Sequence, residues 1–77
     1  MNLETLTESS PGVAERIEQF VHNRTGGMIR DLHVDVVDGE VFLSGRTTTY
    51  YNKQLATHAA FAVLDDIRRL TNDIEVN

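Results

Sequence analysis

The amino-acid sequence predicts an α+β fold in the order helix, strand, strand, helix, strand, with two helices packed on one face of a three-stranded sheet. Three observations carry that expectation. An Asp38-Gly39 pair sits inside residues 28–45, MIRDLHVDVVDGEVFLSG, between two runs of alternating apolar and polar residues. That arrangement is a strong short-range signal for a hairpin with a type I′ turn. Apolar residues on either side of this stretch recur at helical spacing, and residues 70–76 alternate again as a strand does.

Taken in order, residues 1–9 are polar and aperiodic and are expected to form a flexible tail, leaving 10–77 as a single domain. Ser10 is placed to cap the first helix. Pro11 suits its first position, where a missing N–H has no partner to lose. Val13, Ile17, Phe20 and Val21 then recur on one helical face, with Glu15, Glu18, Gln19 and His22 over much of the other. Gly26-Gly27 ends the helix, because glycine readily takes the left-handed conformation there.

Pairing outward from the turn puts Val37 and Glu40 beside the loop. Val36 then faces Val41, Asp35 faces Phe42, Val34 faces Leu43 and His33 faces Ser44. Strand alternation places Leu32, Val34, Val36, Val41 and Leu43 on one side. Gly45 closes the second strand, although the polar, β-branched residues 46–49 allow it a residue or two more. Thr49 caps a second helix running to about Leu64. Leu55, Ala59, Ala62 and Val63 form its stripe, widened by Ala56, Ala60 and Phe61, and the alanines let it approach a sheet closely. Asp65-Asp66 breaks the apolar pattern and Ile67 turns back inward. In the third strand Leu70, Ile74 and Val76 share a side, opposite Thr71, Asp73 and Glu75. It can lie parallel beside the second strand or antiparallel beyond the first, and both remain open.

Composition narrows the functional classes. Seventy-seven residues make one domain, and a chain this short buries only about 60% of the surface its unfolded form exposes. Without cysteine there is neither a disulfide nor a thiolate metal site. Twelve acidic residues against seven basic ones give a net charge of −5, which repels phosphate backbones and anionic head groups. Nucleic acid is therefore not an expected partner. No apolar run approaches the roughly 20 residues that span a bilayer. The opening MNLETLTESS has no basic residue and no apolar segment, so it is not a secretory signal peptide. The chain as it stands is expected in the cytoplasm; one from which a signal had been removed would belong in the periplasm.

Chemistry is sparse. His22, His33 and His58 each sit on a different element; neither helical histidine has a ligating residue four positions further on, while the carboxylates Asp31 and Asp35 flank His33. A solvated histidine on an open sheet face explains His33 better than a metal site. Ser44 lies across from His33, yet no glycine-rich elbow or oxyanion turn accompanies them. Gly26-Gly27 follows a helix and lacks the Lys-Ser/Thr of a phosphate loop. The Gly-x-x-Gly loop and basic groove of a KH-type RNA domain are missing too. Neither an enzymatic activity nor a cofactor is expected.

What remains is a surface. Phe42 points away from the helices alongside His33, Asp35 and Val37, so a bare sheet face carrying Phe42 and Val37 offers a partner or a second copy a docking place. Tyr50 and Tyr51 open the second helix, one expected to pack and the other to stand exposed. Arg68 and Arg69 could touch an anionic head group, but Asp65, Asp66 and Asp73 favour a solvated turn with local ion pairs. The candidate binding surface is thus Phe42, Val37, His33, Tyr51, Arg68 and Arg69.

From residue 32 onward the chain resembles the BON domain, named for bacterial osmotically induced and nodulation proteins. Gly39, Val41, Leu43, Ser44 and Gly45 match that family's Gly-x-Val-x-Leu-Ser-Gly strand. Ala56, Ala59 and Ala60 match its alanine-rich helix, and Ile67, Leu70, Asn72, Ile74 and Val76 its closing strand. The match covers roughly residues 12–77. Asp66 stands where the family usually has glycine, a position at which a positive φ is expected and Asp is among the residues that tolerate it. The resemblance implies an α-β-β-α-β fold and a non-catalytic binding module, with phospholipid membranes the usual target. Members are commonly envelope proteins, in tandem or joined to channels and secretins, and some are cytoplasmic and potassium-responsive. The expected partner is accordingly a protein or a phospholipid surface. A homodimer through the open face and a cytoplasmic ion- or ligand-sensing role are the alternatives.

Overall fold

The computed structural model describes residues 12–77. They form α1 (Val13–Arg24), β1 (Arg30–Val37), β2 (Glu40–Thr47), α2 (Tyr50–Val63) and β3 (Arg69–Val76). This is the α-β-β-α-β order expected. The tail over residues 1–9, and Ser10 and Pro11 as cap and first helical residue, lie outside the described residues. Within them α1 starts behind Gly12. Glycine has no side chain to cap with, so only the reciprocal half of a capping box forms: Glu15 Oε1 accepts the Gly12 N–H at 3.0 Å.

The C-terminus of α1 is a Schellman motif. Gly27 N–H donates to the His22 carbonyl oxygen at 2.9 Å and Gly26 N–H to that of Asn23 at 3.3 Å, with φ of +62° at Gly26 and +73° at Gly27. Thr25, buried just before them, donates its hydroxyl to the Val21 carbonyl oxygen at 2.8 Å.

The hairpin register is the predicted one, from Val37 opposite Glu40 to His33 opposite Ser44. Asp38 and Gly39 both have positive φ, +50° and +82°, as a type I′ turn requires. Beyond His33 the regular pairing breaks. Arg30 pairs with Arg46, so three steps of β1 match two of β2, and Asp31 takes φ +54°. This is a β-bulge. β2 runs two residues past Gly45, to Thr47, the longer of the two ends expected. Thr47 is buried, and its hydroxyl is satisfied there by donating to the Met28 carbonyl oxygen and accepting from Asn52 Nδ2.

Thr49 caps α2 as expected, accepting the Asn52 N–H at 3.2 Å. The helix then returns the chain so that β3 lies parallel beside β2, giving the sheet order β1-β2-β3. Ile17 and Val21 from α1, Ala56, Ala59 and Ala60 from α2, Val34, Val41, Leu43 and Ile74 from the strands, and Ile29 form the core. Within the expected α2 stripe, Ala62 and Phe61 instead face solvent, Phe61 at 48% exposure. The helix carries apolar residues around much of its circumference, and only the three alanines are thin enough for the closest approach to the sheet. Asp66 does not take a positive φ: the non-glycine residues that do so among those described are Asp31 and Asp38.

Candidate contact surface

Alternation along the strands, with both helices behind the sheet, leaves the other face open. Registered pairs arrange it in rows across β1, β2 and β3. The row nearest the turn is Val37, Glu40, Arg69. Then come Asp35, Phe42, Thr71, followed by His33, Ser44, Asp73. The far end holds Arg30, Arg46 and Glu75 beside the bulge. Phe42 stands on the central strand and keeps 37% of its surface exposed; Val37, at the turn end, keeps 57%.

One ion pair between strands and one contact along β1 lie on this face. Asp31, turned out by the bulge, holds Arg46 Nη2 at 2.8 Å, and His33 Nε2 lies 3.2 Å from Asp35 Oδ2. All four side chains are more than half exposed, so each pair is worth little to stability. Asp31 is thereby committed to Arg46 and not to His33. Among the described residues no group of three His, Cys, Asp or Glu side chains is placed to hold a metal ion, and no helix is long and apolar enough to cross a membrane.

The candidate residues do not all come together. Phe42, Val37, His33 and Arg69 share the open face. Arg68 lies at its turn end, its backbone N–H donating to the Gly39 carbonyl oxygen at 2.8 Å. Tyr51 belongs to α2, in the layer behind the sheet, and is 68% exposed; Tyr50 is exposed as well, so neither tyrosine packs as one was expected to. The ion pairs expected around Arg68 and Arg69 are not among those of the described residues. The Asp31–Arg46 pair was not foreseen, because regular pairing outward from the turn stops at His33 and the bulge that creates the pair lies just beyond it.

Compared with family models, residues 9–77 match that of the BON domain. The chain belongs to the BON-domain family. No curated protein matches it. BON domains are binding modules, commonly of phospholipid, and the geometry explains what the family's motif residues do in this one. Gly39 supplies the second positive φ of the turn, and the Arg68 side chain crosses where its Cβ would be, with Cδ 3.0 Å away. Gly45 makes room for the bulge. Asn72 ties β3 to α2: Nδ2 donates to the Lys53 carbonyl oxygen and to Thr57 Oγ1, both at 2.9 Å, while Oδ1 accepts the Ile74 N–H at 3.1 Å. Val41 and Leu43 are core residues, and Ser44 is exposed on the open face. These motif positions build the scaffold; apart from Ser44, the open face is made by residues outside the motif.

Proposed function

We propose that this BON domain is a non-catalytic contact module that holds a protein partner on its open sheet face. The observation that carries this reading is Phe42. It sits on the central strand, in one of the two inner rows of the face that neither helix covers, and is still 37% exposed. One exposed aromatic is ordinary, but an aromatic within a flat face and ringed by polar side chains has the layout of an interface core and rim. The test compares Phe42→Ser with Phe61→Ser, since both remove an exposed aromatic and Phe61 lies on α2. Phe42→Ser is expected to keep the thermal transition and to lose partner capture or self-association, while Phe61→Ser keeps both. Equal behaviour of the two variants removes the open face from consideration.

A second reading is a phospholipid surface. Family membership favours it, as does the turn end, where Val37 is 57% exposed beside Arg68 and Arg69. Asp38, Glu40, Asp65 and Asp66 belong to the same end of the molecule and offset the two arginines. The protein-contact reading is therefore preferred.

A further inference from the structure

The open face carries a charge pattern that complements itself. We propose that the occupant of this face is a second copy of the chain, docked about a two-fold axis lying between the sheets and across the strands. The proposal rests on the contact-module reading above and names its partner. Such an axis reverses strand direction and lays β1 on β1, β2 on β2 and β3 on β3, with the row nearest the turn against the far row. Glu40 then faces Arg46 of the second copy, and Arg69 faces its Glu75. In the inner rows Asp35 meets His33, the Thr71 hydroxyl can donate to the Asp73 carboxylate, and the large Phe42 meets the small Ser44. Each relation occurs twice, as an isologous contact requires, and facing a large residue with a small one lets two sheets about 10 Å apart interdigitate.

Two features favour this arrangement. Glu40 and Arg69 are registered neighbours, as are Arg46 and Glu75, yet neither pair is among the ion pairs of the described residues. Glu40, Arg69 and Glu75 thus keep their charges free for a second copy, whereas Arg46 is already held by Asp31 and would be shared between it and Glu40 of the second copy. The other two-fold arrangement, with its axis along the strands, sets Glu40 on Glu40 and Arg46 on Arg46, so charge selects one geometry over the other. Three strands of eight residues present a footprint of about 14 by 26 Å per copy. That is below the size of a stable interface, so the association is weak and reversible.

Sedimentation velocity on the full chain up to about millimolar concentration, where weak complexes populate, tests this with Arg69→Glu, Glu75→Arg and the double variant. The two single changes move net charge in opposite directions, yet each places two like-charge contacts in the proposed interface. Self-association of the wild type is expected to weaken about tenfold in either single variant and to recover in the double one, with thermal transitions of all four proteins alike. A wild type that stays monomeric overturns the proposal; if Phe42→Ser still loses another protein, the contact-module reading survives it. Indifference to both single changes, strengthening by Glu75→Arg, or failure of the double variant to recover also overturns it.

Discussion

A Cβ on Gly45 would lie 2.9 Å from the carbonyl oxygen of Arg30. Real Cβ atoms do not approach backbone so closely, and Gly45 has φ +150° in addition. The glycine in β2 and the bulge in β1 are therefore two halves of one feature: the bulge folds over the space that a side chain at Gly45 would fill. Its consequence on the open face is Asp31, turned outward to hold Arg46.

Gly45→Ala should destabilise the domain by about 2–3 kcal/mol, from the disallowed backbone and the overpacking together. The midpoint of urea denaturation reads this. An unchanged midpoint would show that the bulge relaxes freely and that Gly45 is not its counterpart.

Asn72 makes three hydrogen bonds that different substitutions dissect. Asn72→Ala loses all of them. Asn72→Asp keeps an acceptor for the Ile74 N–H but sets a carboxylate against the Lys53 carbonyl oxygen. Each variant is expected to lose about 1–3 kcal/mol, the range for leaving partly buried polar groups unpaired. If Asn72→Asp melts with the wild type, the two Nδ2 bonds to α2 contribute nothing.

Gly26→Ala separates backbone strain from crowding, because nothing lies within 4 Å of the added Cβ while φ is +62°. A loss of about 1 kcal/mol is expected from the left-handed conformation alone. Gly27→Ala also presses a methyl to within 3.1 Å of the His22 ring and should cost at least as much. Chemical denaturation of the pair checks the order.

Much of this was legible in the sequence, for reasons that differ by element. Turn chemistry at Asp38-Gly39 and strict alternation around it determined the hairpin register pair by pair, and with it the outward aim of Phe42. Thr49 and Gly26-Gly27 marked helix ends through side-chain and backbone preferences that act locally. The bulge left two signs, the consecutive polar residues Arg30-Asp31 that interrupt alternation and Gly45 inside a strand, but neither says by itself how the strands are offset. Phe61 and Ala62 were misplaced because α2 is apolar around much of its surface, and periodicity cannot choose which third of such a helix meets the sheet. Strand order depends on where α2 returns the chain, which no local pattern specifies. The open face as a set of rows needed β3 in place, so the relation of Arg69 to Glu40 and of Glu75 to Arg46 could not be seen beforehand.

Lipid binding is tested by co-sedimentation with anionic and zwitterionic vesicles at low salt. The acidic turn end predicts that the chain stays in the supernatant with both. Partitioning onto anionic vesicles that is lost in an Arg68→Ser, Arg69→Ser double variant would put the lipid reading ahead of the protein one.

The most direct test of the open face as the contact surface is site-specific photo-crosslinking in living cells, with a photoreactive phenylalanine analogue at position 42 and, as the control, at position 61. A discrete protein adduct is expected from position 42 and none from position 61. Adducts from position 61 alone, or lipid as the sole product at position 42, would contradict it.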